Sequence, residues 1–238
     1  MKARELFQSG ELDGAIASLS DELRADPTDA QRRTFLFELL GFAGEFDRAE
    51  KQLDILAQAS PDAAMGALLY RSALHAEKNR REMFLEGSYP KGDSPPVTGG
   101  TLNGERFTSL VDGDSRIGAR FEVFAAGEYM WLPLEHIASI TIPPPQKVRD
   151  LLWAPGLIRT GPGFEGLELG EVLIPALAPL TFRHPDDAVR LGRVTEWQEL
   201  DDGGEAPIGQ KLLLVDDTEF PILELRELII DPPAANTG

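Results

Sequence analysis

GELDGAIASLSDELRADP, residues 10–27, returns 34 positions later as GEFDRAEKQLDILAQASP, residues 44–61. Gly10 answers Gly44, Leu12 answers Phe46, Ala15 answers Ala49, Leu19 answers Leu53, and Pro27 answers Pro61. Glycine permits a tight turn between helices. The small alanine five positions later lets a neighbouring helix approach closely, and proline stops or restarts the chain in the same phase each time. Leu12, Ala15, Ile16, Leu19 and Leu23 share one helix face, as do Phe46, Ala49, Leu53 and Leu56. Leu36, Leu39, Leu40 and Ala43 make a stripe between the two segments. Met65, Leu68, Leu69 and Ser72 begin another that ends near Phe84. Five helices are expected before residue 87, with turns near Gly10, Pro27, Gly44 and Pro61.

A helix–turn–helix period of this length resembles the tetratricopeptide repeat. The resemblance covers residues 1–86, and 29–61 is its most complete unit. Phe37 stands where that family usually has a glycine, and Glu22 where it prefers a small residue. An ordinary helical bundle with accidental periodicity is the alternative. Such repeats do no chemistry; the first helix of each pair lines a curved inner wall. That geometry puts Arg4, Phe7, Thr34, Glu38, Phe42, Leu68 and Ser72 near a groove suited to an amphipathic partner helix. Core packing is the competing assignment for Phe7, Phe42 and Leu68.

GSYPKGDSPPVTGG, residues 87–100, cannot continue a helix and reads as a linker. The chain divides into a helical repeat domain at 1–88, a linker at 89–100 and a strand-rich domain at 101–238. Charge is uneven across this divide, with 11 basic against 16 acidic side chains before residue 91 and 12 against 24 after it. Asn103-Gly104 and Asp112-Gly113 are turn signals between short apolar runs. Arg120–Phe124 alternates like a half-buried strand, and Tyr129–Leu132 reads as its neighbour. Pro133–Ile137 suits a short helical turn. Ile140–Ile142, Gly170–Ile174 and Gln210–Val215 are further strands. Residues 185–199 and 223–230 are ambiguous, and the tail PPAANTG should be loose. The fold class is α+β with two domains: a tetratricopeptide-like α/α superhelix, then a curled sheet or partly open barrel.

Composition removes several chemistries. The 238 residues carry a formal charge of −17 and no cysteine. Nucleic-acid phosphates and anionic membranes are repelled. Thiol catalysis and thiolate metal sites are excluded. His75, His136 and His184 are dispersed, and no metal or other cofactor is expected. The N-terminus lacks the apolar run of a signal peptide, and no stretch is long enough to span a membrane; a cytoplasmic protein is expected. RTGPGFEGLELG, residues 159–170, lacks the lysine and helix of a phosphate loop. Asp112-Gly113-Asp114 lacks the order and closing glutamate of a calcium loop. Asp201-Asp202 and Asp216-Asp217 read as solvated turns. Trp131, Trp153 and Trp197 read as core or interface residues. No GxSxG elbow accompanies His136 or His184.

The most distinctive stretch is GARFEVFAAGEYMWLPLEHIASITIPPPQKVRDLLWAPG, residues 118–156. With LVDGDSRIG before it and the N-terminal repeat, it resembles the ImpE family, also called SciE-type or TagJ, of type VI secretion accessory proteins. Arg120-Phe121-Glu122, Gly127, Trp131-Leu132-Pro133, Pro144-Pro145 and Asp150-Leu151-Leu152-Trp153 carry the resemblance. It implies a non-enzymatic adaptor that binds a helical segment of the small contractile-sheath subunit. It also implies a link to the AAA+ unfoldase that disassembles the sheath. From its residues alone, KVRDLLW suits either domain packing or a partner surface. A small hydrolase or ligand-binding enzyme with its site in the second domain is the alternative function, and a scaffold unrelated to secretion a third.

Overall fold

The computed structural model describes residues 2–91, 96–161, 164 and 169–232. Five helices come first: α1 Lys2–Ser9, α2 Leu12–Ala25, α3 Ala30–Phe42, α4 Phe46–Leu56 and α5 Pro61–Glu86. Gly10 and Gly44 sit at φ +90° and +68° in the two tightest turns, where a side chain is strained. Asp29 caps α3 by accepting from Arg32 N, and Ser60 caps α5 by accepting from Ala63 N. Pro61 therefore opens α5 rather than closing α4. The stripe of α2 is buried, as is that of α4 up to Leu53, with Leu56 partly covered. In α3 every side from Phe35 to Phe42 is buried, so it is the central helix of this half. Phe42 is 1 % exposed. It is a core residue and not part of the α1–α3 groove, because every face of α3 from Phe35 to Phe42 is covered.

The remaining chain is strand-rich. It begins with β1 Gly100–Leu102, β2 Glu105–Phe107, β3 Leu110–Asp112, β4 Arg120–Ala125, β5 Glu128–Pro133 and β6 Ile137–Thr141. Then come β7 Trp153–Thr160, β8 Gly170–Pro175, a short helix α6 Asp187–Arg190, β9 Glu196–Glu199 and β10 Glu205–Ile208. Last are β11 Leu212–Val215, β12 Thr218–Pro221 and β13 Glu227–Ile230. Eight strands form one sheet in the order β2-β1-β13-β6-β7-β8-β4-β5; β12-β11-β3 and β10-β9 form two smaller ones. β2 and β5 are free edges, so the large sheet is not a closed barrel. The ambiguous segments resolve: 185–199 holds α6 and β9, and 223–230 ends in β13, which alternates Leu228 and Ile230 inward with Glu227 and Ile229 outward. Asn103-Gly104 turns the β1–β2 hairpin with both residues at positive φ. Parts of the expected linker, the glycine-rich 159–170 loop and the tail lie outside the described residues.

β4 departs from the half-buried pattern, since Phe121 to Ala125 are all buried. Phe121, Val123 and Ala125 face the core of the strand half. Phe124 faces a second core, made of the helices together with Leu152, Trp153, Leu177 and Leu191. The Leu152-Trp153 end of the KVRDLLW segment thus packs between the halves. Trp153 stacks near Tyr70, and both rings approach Phe37. That is the use of a phenylalanine where the repeat pattern has glycine. Close approach falls instead to Gly41, where an added Cβ would lie 2.8 Å from Leu152 Cδ1. Gly44 meets the Phe182 ring in the same way.

Between the two cores lies a buried cluster of charges. Arg80 on α5 donates from Nε to Glu122 Oε1 at 2.7 Å and from Nη2 to Glu122 Oε2 at 3.1 Å. Nη2 also donates to Leu177 O at 3.0 Å, and Nη1 to Glu77 at 3.2 Å. Lys211 contacts both Glu122 and Asp112. Tyr129 donates its hydroxyl to Glu122, and Trp153 donates Nε1 to Glu77. Asp114 takes two bonds from Arg116. Burial alone would raise Glu122, but Arg80 and Lys211 outweigh it and hold the carboxyl at about 2. At Asp112 burial wins over Lys211, with Glu122 and Asp114 adding repulsion, and the carboxyl is pushed up to about 7.

Glu122→Leu leaves Arg80 and Lys211 buried without their shared partner and should cost about 3–5 kcal/mol of stability. Arg80→Met with Glu122→Leu should cost less than the sum of the single changes, measured by urea denaturation. Additive losses would show that the pair is uncoupled. Asp112 has a folded pKa above its ordinary 3.8, so its contribution is full below that value and fades as pH rises through about 7. The wild-type urea midpoint should carry that downward component between these limits, and Asp112→Asn should remove it.

Candidate partner-binding site

α1 and α3 lie side by side at one surface of the helical half and leave a groove of about 440 Å³ between them. Arg4, Phe7 and Gln8 come from α1 and Gln31, Thr34, Phe35 and Glu38 from α3. Val148, from the segment before β7, closes one end. Phe7 meets Phe35 edge-on, with centroids 5.6 Å apart. The Arg4 guanidinium lies 5.6 Å from the Phe35 ring centroid. Arg4 is exposed and makes no ion pair among the described residues. The result is a floor that is apolar apart from Glu38, with one cation and two amides at its rim. Thr34 is less available than its position suggests, because its hydroxyl donates to Ala30 O at 2.9 Å.

Several supports come from far along the chain. Arg193 donates Nη1 to Gln8 O at 2.8 Å, bonds Phe7 O with Nη2, and lies over the Phe7 ring. Asp187 accepts from Leu12 N at 2.7 Å at the start of α2. Arg149 donates to Glu38 at 3.0 Å and lies 4.9 Å from the Tyr70 ring centroid. Burial raises Glu38, and Arg149 partly offsets it. Glu38 is therefore a paired floor residue rather than a free charge.

Of the seven residues placed on the inner wall by repeat geometry, the groove gathers Arg4, Phe7, Thr34 and Glu38. Phe42 belongs to the core. Leu68 is exposed on α5, and Ser72 lines a different cleft, between α5 and the large sheet. Phe35 was not singled out from the sequence, although the apolar run of α3 points to it; Val148 and Arg149 fall in KVRDLLW, whose reading left domain packing and a partner surface open, and they lie beside the groove.

The remaining candidates have ordinary roles. His75 neighbours Asn79, His136 neighbours Glu135, and His184 accepts from Asp186 N at 3.1 Å. Trp131 packs on Phe84 and Tyr89, whereas Trp197 is partly exposed and donates to Glu219. Asp201, Asp202, Asp216 and Asp217 are exposed in turns. Asp112 and Asp114 are not solvated; they join the buried charge cluster. Among the described residues, no three His, Asp or Glu side chains are disposed to hold a metal, and no helix is long and apolar enough to cross a membrane.

Arg149→Met strands the Glu38 carboxylate and should cost about 3 kcal/mol of stability, at the lower limit for a buried pair because Arg149 is partly solvated. Glu38→Gln in the same chain should restore part of the loss, read by thermal or urea unfolding.

The ImpE protein family model matches residues 104–229. The chain is 32 % identical to the "Type VI secretion system accessory component TagJ" of Pseudomonas aeruginosa, with 99 % of this chain and 93 % of that protein aligned. A crystal structure of a Vibrio parahaemolyticus protein, VPA1032, has the same fold, with a TM-score of 0.85, 23 % identity and 99 % of both chains covered. The chain belongs to the ImpE/SciE-type (TagJ) family of type VI secretion accessory proteins.

Proposed function

We propose that this chain is a cytoplasmic adaptor that holds a helical segment of the small contractile-sheath subunit in the α1–α3 groove. In this reading it assists recruitment of the AAA+ unfoldase, or the recycling of the sheath. Residues 1–88 serve as a tetratricopeptide-like superhelix and 101–238 as a family-specific unit, joined through 89–100. The observation that carries the reading is the open apolar floor of Phe7, Phe35 and Val148 rimmed by Arg4, Gln8 and Gln31. A helix laid there buries its apolar stripe on the two rings and sets a carboxylate or carbonyl against Arg4.

Anchors of this kind concentrate binding energy in a few side chains. In titration calorimetry of the full chain with a synthetic helix of the small sheath subunit, Phe7→Ala should weaken binding by about 1–3 kcal/mol, roughly five- to 150-fold. Arg4→Glu should weaken it with no change in melting temperature, since Arg4 is exposed. Full-strength binding by both variants would remove the groove from the proposal.

A further inference from the structure

A second surface is built from different residues. α5 and the outer face of the large sheet enclose a cleft of about 630 Å³ lined by Leu69, Ser72, Phe124, Thr141, Leu157 and Leu173, among others. It shares no lining residue with the α1–α3 groove. Leu69 lines the cleft and is 52 % exposed, and on the same helix Met65 and Leu68 are 69 % and 55 % exposed. These positions and Ser72 form one ridge at helical spacing, the shape that receives another helix. Opposite them Leu157 is 40 % exposed. Apolar side chains this exposed and this contiguous mark an interaction site rather than ordinary surface scatter.

Charge identifies the occupant. Cross-strand register places Glu227, Thr141, Leu157 and Glu171 in one row across the sheet. Glu171 and Glu227 are exposed and form no ion pair among the described residues. Asp62 is exposed at the start of α5, near Met65. Arg159, two residues on from Leu157, offsets only one of these charges. A second copy of the chain, with its own −17, would bring like charges together at this face. We infer that the cleft docks an amphipathic helix of a partner protein, whose apolar stripe lies on Leu68, Leu69 and Leu157 and whose flanking Lys or Arg side chains meet Glu171 and Glu227. The surface is independent of the proposed sheath-subunit groove and stands whether or not that groove binds.

The test uses the full chain and two synthetic helical peptides, one of leucine and lysine and one with the same leucine stripe but glutamate in place of lysine. Fluorescence anisotropy should show binding of the lysine peptide only. Leu69→Asp should weaken it at least tenfold. Glu171→Lys with Glu227→Lys should weaken it too and should admit the glutamate peptide. Asp201→Lys with Asp202→Lys, an equal change of charge in an exposed turn outside the cleft lining, controls for bulk charge and should leave binding unaltered. Equal binding of both peptides, or loss confined to bulk-charge changes, overturns the proposal. So does concentration-dependent self-association that Leu69→Asp abolishes, which would give the face to a second copy.

Discussion

Arg80 and Glu122 face each other where a long helix crosses a strand, with neither side chain reaching water. A buried guanidinium is tolerable only if its donors are largely occupied, and here four of the five are: two go to Glu122, one to Leu177 O and one to Glu77. That requirement fixes the rotation and the height of α5 on the sheet. A shift by one residue in either element would strand the charge, whereas an apolar interface would tolerate sliding. Lys211 and Asp112 extend the constraint to β11 and β3, so the small sheet is tied to the same point.

Once α5 is set, the apolar contacts follow. Phe37, Tyr70 and Trp153 come into contact, Leu152 occupies the space over Gly41, and Phe182 that over Gly44. The groove between α1 and α3 inherits its floor from this arrangement, because Val148 and Arg149 are carried on the segment that leads into Trp153. The same placement leaves the first turns of α5 standing proud of the sheet, which opens the second cleft. Both surfaces are consequences of how the helices meet the strands, and neither belongs to the helices alone.

The helices were legible because their signals are local. Gly10 and Gly44, the alanine five positions on, and Ser60-Pro61 each act within a turn or two. The strands were legible for the same reason, through the pairing of Arg120–Phe124 with Tyr129–Leu132 and the Asn103-Gly104 turn. What could not be read was whatever depends on a distant partner. Glu122 looks like the polar position of an alternating strand until Arg80 covers it. Glu38 looks like a groove charge until Arg149 pairs with it. Asp112 looks like a turn residue because nothing in its surroundings along the chain shows that Lys211 will be buried against it. Phe42 is the exception, since the apolar run around it, broken only by Glu38, carried the information.

The clamp on α1 has a consequence for synthesis. Its last carbonyls are held by Arg193, which follows Gln8 by 185 positions, and the start of α2 is held by Asp187. On the ribosome, these helices emerge long before the side chains that secure them exist. Until α6 is made, Phe7 and the stripe of α2 have only their helical neighbours for cover. These two helices therefore reach their final stability only after the segment around α6 has been made, and until then their apolar faces are open to other chains.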